Sequence, residues 1–261
     1  MAAVETATPR FASALPKGQK LKIARVRRFA VAALAVFFAV LPISPLAQQS
    51  YVGRYDAYMG FADINSPDLG LNESGFHAQA GMNPRRWYSI GGDYSLGWGS
   101  QLLTTNLLPA ALQAQVNAAQ AGYIALGYLP ANYHLAVPTN AFTETFAFGP
   151  QLVYRHFSRF TLFVRPSLGA LRERATPHAV PNDVFQPVII AQLAPAGYKL
   201  DWTGFYGAGG GGEFALSQHI GIRGQMDVVY NHPFNDILAN GRWTFRYSVG
   251  PSFHFGKNQA K

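Results

Sequence analysis

Between Phe146 and Leu171 the chain reads FAFGPQLVYRHFSRFTLFVRPSLGAL, two runs of alternating residues joined by a short basic turn. In the first run Phe146, Phe148, Pro150, Leu152 and Tyr154 share one parity, and Thr145, Ala147, Gly149, Gln151 and Val153 share the other. In the second, Phe160, Leu162, Val164, Pro166, Leu168 and Ala170 alternate with Thr161, Phe163, Arg165, Ser167 and Gly169. A period of two fits only a β-strand, with one greasy face and one face of small or polar groups. The intervening Arg155 to Arg159 leaves room for a hairpin connection and little else. Strands of about 9–11 residues are what a tilted strand needs to cross a bilayer. The stretch therefore predicts a transmembrane β-hairpin, and a hairpin alone cannot satisfy its edges.

The rest of the chain supplies partners. Strand one sets Tyr55, Ala57, Met59 and Phe61 against Arg54, Asp56, Tyr58 and Gly60, and is followed by a loop over Asp63 to Glu73, rich in Asn, Asp, Pro and Gly. Strand two opposes Phe76, Ala78, Ala80 and Met82 to His77, Gln79, Gly81 and Asn83; Asn83 to Arg86 reads as a tight turn. Strand three carries Tyr88, Ile90, Tyr94, Leu96 and Trp98 against Ser89, Gly91, Asp93 and Ser95. A long insertion, Gly99 to Ala141, holds a short helix over Pro109 to Ala121 by its Ala, Gln and Leu content and reads as a loop ornament. After strands four and five comes a proline-bearing loop, Arg172 to Asp201, then strand six from Trp202 to Phe214 through a glycine cluster. Strand seven alternates Ile220, Ile222, Met226, Val228 and Tyr230 with Gly221, Arg223, Gln225 and Asp227. A loop over Asn231 to Gly241 leads to strand eight, where Trp243, Phe245, Tyr247, Val249, Phe253 and Phe255 oppose Thr244, Arg246, Ser248, Ser252 and His254. Connections alternate long and short. The chain reads as all-β, an eight-stranded antiparallel up-and-down transmembrane β-barrel with long outer loops and short periplasmic turns.

Charge excludes a nucleic-acid partner once it is located. The formal net charge is +8, but residues 1–47 hold seven Lys or Arg and one Glu, whereas residues 48–261 hold fourteen and twelve. Lys17, Lys20, Lys22, Arg25, Arg27 and Arg28 precede thirteen consecutive apolar residues, Phe29 to Leu41, broken by Pro42 and Pro45. That layout is a secretory signal peptide over 1–47, with cleavage expected after Ala47 and a barrel domain over 48–261. With no cysteine, disulfides and thiolate chemistry are unavailable.

The distribution of charge over the two parities decides what surrounds the barrel. A soluble eight-stranded barrel places apolar residues inside and charges outside. Here the non-aromatic parity carries Arg54, Arg165, Arg223 and Arg246 against Asp56, Asp93, Glu213 and Asp227, while Glu144 is the main carboxylate on the aromatic parity. An aromatic band facing water would exceed the apolar patch that soluble monomers tolerate. With lipid outside, the eight charges form a lumen network that must be paired, because an unpaired buried charge is very costly. So narrow an interior is filled by its side chains, so the network acts as a plug. Gly207, Gly209 and Gly211 either leave space on the same face for neighbouring arginines or make the strand flexible for sharp curvature.

Chemistry is sparse. The seven histidines show no metal spacing, and His77 and His254 read as interior histidines. Ser252 and His254 share a face, as a lipid-hydrolysing barrel would need, but they lie near the periplasmic end and no acid two residues away completes a triad. Gly207 to Gly212 spells G-x-G-x-x-G without a following helix, so no dinucleotide site follows. Arg172, Glu173 and Arg174 read as a solvated rim that could also meet lipopolysaccharide phosphates. No metal, cofactor or catalytic residue is expected.

Three stretches, FAFGPQLVYRHFSRFTLFV, IGIRGQMDVVY and FRYSVGPSFHFG, resemble the small outer-membrane β-barrel proteins of the OmpA/OmpX-like superfamily. The resemblance implies an exported precursor of a Gram-negative-type envelope, an eight-stranded barrel, and insertion by the outer-membrane assembly machinery. It also implies an assembly signal of alternating aromatics, Trp243, Phe245, Tyr247, Phe253 and Phe255. Pro166, which forfeits a ladder bond in mid-strand, predicts a bulge or a water-accessible spot. The expected role is structural or surface-interacting, with outer-membrane lipid, lipopolysaccharide and an unnamed extracellular ligand as partners. A small transport pore is the alternative, followed by an envelope-lipid-modifying enzyme.

Overall fold

The computed structural model describes residues 49–259, so the leader and its cleavage position lie outside the described residues. Eight antiparallel strands close into a barrel in sequence order. They are β1 (Gly53–Ser66), β2 (Leu71–Arg85), β3 (Tyr88–Thr104), β4 (Ala136–Tyr154), β5 (Phe160–Pro177), β6 (Lys199–Ala215), β7 (Ile220–Asn231) and β8 (Arg242–Asn258). β1 pairs with β8, which removes both sheet edges. Two helices, α1 (Ala110–Ala125) and α2 (Gln186–Leu193), lie in the connections at one end, called here the loop end.

Most strands run past the limits that turn-rich composition suggests, and the first loop shrinks accordingly. Asp63 to Ser66 and Leu71 to Glu73 are paired strand, and only residues 67–70 form the connection. Pro67 and Asp68 start a turn in which Leu69 donates to Ser66 O at 3.2 Å, and Gly70 closes it at φ 65°. Pro near the start and a left-handed Gly at the end are what a four-residue hairpin demands. The turn expected at Asn83 to Arg86 also moves. Arg85 pairs with Tyr88, so Arg86 and Trp87 make the turn, and the register slips between Met82 and Arg85. Pro84, lacking an N–H, sits in that irregularity.

Pro166 produces no bulge. β4 and β5 keep one register, with Ala147 opposite Gly169 and Leu152 opposite Val164, but pairing lapses over 148–151 against 165–168. On that register Pro150 and Pro166 face each other, so two residues without an N–H meet across one seam. Their other neighbours hold them: Pro150 pairs with Ile90 and Pro166 with Ala208.

The insertion at 105–135 is no ornament. Leu69, Leu108, Val116, Leu129, Phe185, Ile189, Phe234 and Leu238 form one buried apolar cluster, drawn from all four loop-end connections. On α1, Leu112, Val116, Tyr123 and Ile124 fall on one face and pack into it. α1 stops where Gly127, at φ 76°, lets Tyr128 N reach back to Tyr123 O at 3.0 Å. α2, absent from the sequence expectation, is started by Asp183, whose carboxylate accepts from Phe185 N and Gln186 N at 2.9 Å each. Asp183 also accepts from the Tyr133 hydroxyl at 2.7 Å, tying the two long connections; burial, then that bond, raises the Tyr133 phenol above its ordinary range. The loop end thus carries a small folded cap.

Two outcomes test this description. Amide exchange in detergent-solubilised barrel should be faster at 148–151 and 165–168 than elsewhere in β4 and β5; uniform protection would refute the open seam. Phe185, 0% exposed, should cost the cap about 3–5 kcal/mol when changed to Ala. Limited proteolysis would read this as faster cleavage in 105–135 and 178–198 from a barrel still folded on a heat-shift gel.

Candidate functional site

The lumen-facing side chains form layers along the barrel axis. In the middle layer, Arg165, Gly209 and Asp227 are cross-strand neighbours on β5, β6 and β7. Arg165 and Asp227 therefore meet across a strand whose residue between them has no side chain. A Cβ on Gly209 would lie 1.7 Å from Asp227 Oδ1. The glycine run does leave space, but for the aspartate that the arginines hold. Arg165 donates through Nε at 3.2 Å and Nη2 at 2.9 Å to Asp227, and its Nη1 lies 2.9 Å from Asp93 Oδ2. Arg246, directly opposite Asp227 on β8, donates to it through Nε at 3.1 Å and Nη2 at 2.7 Å, with Nη1 3.3 Å from Asp93 Oδ1. Arg246 Nη1 also donates to Thr145 Oγ1 at 2.7 Å and Ser95 Oγ at 3.1 Å. Two cations and two anions close a ring with bidentate geometry, the arrangement in which buried ion pairs recover most of their desolvation cost.

Below it, towards the short-turn end, Glu213 and Arg223 are direct cross-strand partners. Arg223 donates to Glu213 at 2.9 Å and to Gln79 at 3.2 Å, with its guanidinium 5.7 Å from the Tyr58 ring and 5.3 Å from Phe163. Glu213 Oε1 sits 2.5 Å from His254 Nε2. Asp56 accepts from Asn83 Nδ2 at 2.9 Å, and Asn83 Oδ1 accepts from Arg155 Nη2 at 3.1 Å.

Seven of the eight expected lumen residues, Asp56, Asp93, Arg165, Glu213, Arg223, Asp227 and Arg246, have buried side chains. Arg54 is corrected: it is exposed, its guanidinium 5.7 Å from the Tyr55 ring. The β1–β8 register shifts between Gly53 and Tyr55, which breaks the parity count one residue from the strand's start. Glu173 is corrected in the opposite sense. It is no rim residue but fully buried, ion-paired to Arg242, whose Nε donates to Asn231 Oδ1 at 3.0 Å. Arg242, Glu73 and Arg155 belong to the interior and escaped the sequence reading: Arg242 and Glu73 sit where strand and loop were divided differently, whereas Arg155 lies in the expected turn and folds inward from it. Between this top layer and the middle ring lie Leu171, Phe205 and Val229, leaving a cavity of about 20 Å³ beside Glu73 and Thr143. That is room for one water, and one Glu73 oxygen has no hydrogen-bond partner among the described residues.

The outer wall carries the other parity. Met59, Phe76, Trp98, Phe148, Val164, Tyr206, Ile222 and Phe253, one from each strand in turn, are all exposed, Phe148 at 68%. Trp243, Tyr247, Phe253 and Phe255 are exposed on β8, and Phe245 is half-buried. Glu144 on this wall accepts from Tyr94 at 2.9 Å and is ion-paired to Arg172 at 2.5 Å.

No family model and no curated protein matches the sequence. Among solved structures, the chain is similar to Neisserial surface protein A, with 10% identity and a TM-score of 0.45 over 77% of this chain and 96% of that one. It is also similar to Ail, the attachment invasion locus protein of Yersinia pestis, at 12% identity and TM-score 0.42, over 77% and 99%. OprG of Pseudomonas aeruginosa matches at 10% identity and TM-score 0.39, over 80% and 99%. Nothing about activity passes to this chain at such identities.

The structure gives His254 an acid partner, Glu213, from another strand. Ser252 is 0% exposed and among the described residues its hydroxyl has no hydrogen-bond partner, while His254 turns its Nε2 to Glu213. Among the described residues no group of His, Asp and Glu is arranged to hold a metal ion.

The ring predicts a sharp contrast between two carboxylates. Asp227→Ala strands two buried guanidiniums on Asp93 alone and should cost about 3–5 kcal/mol. Glu73→Gln removes a carboxylate with no cation in direct contact and should cost less than about 1 kcal/mol. Urea unfolding in lipid vesicles measures both, and equal losses would contradict the ring's primacy.

Proposed function

We propose that the chain is an integral outer-membrane barrel, held by its wall in lipid, closed by its charged interior, and presenting the folded cap as a surface-interaction element. The observation that carries the reading is the outer wall. Large apolar and aromatic side chains are exposed on every strand around a closed ring, an area that water does not tolerate on a monomer and that lipid requires. The short-turn end is then periplasmic, and the cap faces outward. Loops on a rigid scaffold are where binding specificity is usually placed, and this cap has its own core to hold a shape.

The wall also supports a lipid partner of defined chemistry. Arg172 lies 6.0 Å from the Trp202 ring and Arg174 lies 4.3 Å from Tyr198, both on the loop-end half of β5. A cation beside an aromatic at the membrane surface suits the phosphates of lipopolysaccharide. The aromatic parity of β8 that ends in Phe255 serves as the assembly signal for the outer-membrane insertion machinery. No catalytic step is assigned; Ser252 is buried and does not bond to His254.

Purified protein should require detergent or lipid to stay folded, and planar-bilayer recordings should show no stable single-channel steps. A barrel soluble without detergent would overturn the membrane reading. Steady conductance from a detergent-dependent barrel would overturn the closed interior and favour the transport pore.

A further inference from the structure

The short-turn end gathers cations without surface acids to balance them. Arg54, Arg85, Arg86, Arg155, Arg159 and Lys257 lie there, while the acids of that end, Asp56 and Glu213, are buried and engaged. Asp56 is held by Asn83, and Glu213 by Arg223 and His254. Into this end opens a polar cleft of about 230 Å³, lined among others by Arg155, Ser158, Arg159, Thr161, Ser217 and His254. The volume is below the range of drug-sized sites and suits a small polar group.

Two features mark the cleft as built for an anion. Arg155 is only 8% exposed, yet its guanidinium meets no carboxylate in hydrogen-bond range; it donates to Arg86 O at 2.5 Å and to Asn83 Oδ1 at 3.1 Å. Burial pushes it down to about 10, with Arg223 and Arg86 adding to that against the pull of Asp56 and Glu213. Secondly, Arg159 is exposed at the mouth, and among the described residues it makes no ion pair and no side-chain hydrogen bond. Ser158, Thr161 and Ser217 line the same cleft, and their hydroxyls are donors that an anion accepts from. Thr161 itself accepts from Gln49 Nε2 at 2.8 Å, which leaves its proton to point elsewhere. Glu213 also lines the cleft, but it is neutralised by Arg223 from within.

We infer that this cleft binds a phosphate group, with Arg159 and Arg155 supplying the charge and the serine and threonine hydroxyls the remaining bonds. The inference does not depend on the membrane reading, since the cleft belongs to the barrel end whatever surrounds the wall. The phosphate can be that of a free phosphoryl compound or of a phospholipid headgroup, and the test separates them.

Isotope-labelled barrel in non-ionic detergent would be titrated first with inorganic phosphate and then with phosphatidylglycerol added to the micelles, each against sodium chloride at matched ionic strength. Saturable movement of the backbone amide signals of 155–161 and Ser217 with inorganic phosphate is expected. Arg159→Glu, at an exposed turn, should weaken it by about tenfold or more, whereas Arg85→Glu, on the same end but outside the cleft, should leave it nearly unchanged. Movement with phosphatidylglycerol alone, sensitive to Arg159→Glu, assigns the site to a headgroup. No saturable movement with either, or equal weakening by both variants, overturns the site in favour of a diffuse basic field. A heat-shift gel on each variant confirms that the barrel is folded.

Discussion

Everything in this barrel depends on Asp227 having room to stand between two arginines. The interior is a space where water cannot compensate a lone charge, so each guanidinium must find its acid within the ring of strands. Arg165 and Asp227 are separated by a whole strand, and a side chain at position 209 would keep them apart. The absence of one Cβ converts two separate charges on β5 and β7 into a bidentate pair, and Arg246 and Asp93 complete it. A glycine in a strand usually weakens the ladder; here its cost is offset by the contacts that pass over it.

The same ring divides the molecule's tasks. The middle layer fills the lumen with side chains whose charges are paired among themselves. The wall is apolar, and the polar side chains of the surface gather at the two ends. The loop end is built from parts far apart in sequence: Leu69 follows β1, and Phe234 precedes β8. These meet in one cluster because β1 and β8 are paired. The cap therefore depends on closure of the barrel.

How much of this was legible in the sequence follows from what kind of signal each part carries. Strand alternation and the parity of charge are periodic, and they placed Arg165, Arg223, Asp227 and Arg246 on one face. Periodicity fails wherever the backbone slips. Arg54 sits beside a register shift, so its parity inverted. Glu173 and Arg242 lie beyond the bounds that turn-rich composition suggested, although Leu171, Glu173 and Ala175 continue the alternation of β5. The first loop shows the same effect, for Ile64 and Ser66 alternate with Asp63 and Asn65 up to Pro67. Alternation was the better guide than composition at both places. The cap was unreadable for a different reason. Its apolar residues have no common period across four connections, and their meeting is a property of the closed ring.

Strand dipoles alternate in an antiparallel barrel and nearly cancel, so any polarity between the ends comes from side chains. The loop-end surface carries Asp63, Asp68, Asp183, Asp201 and Asp236, with Lys199 tied to Asp236. The short-turn surface carries arginines whose nearby acids are spent inside. Since the middle ring sums to zero, it does not transmit charge from one end to the other, and each end can be matched to its own partner. Arg172 and Arg174 stand apart from the acidic loop surface because they lie on the outer wall beside aromatic rings. Their charge is directed sideways, into whatever the wall touches, while the charges of the two ends are directed along the axis. A barrel whose central charges are paired among themselves thereby presents three chemically distinct surfaces: an acidic loop end, a basic short-turn end and an aromatic wall with two arginines at its loop-end rim.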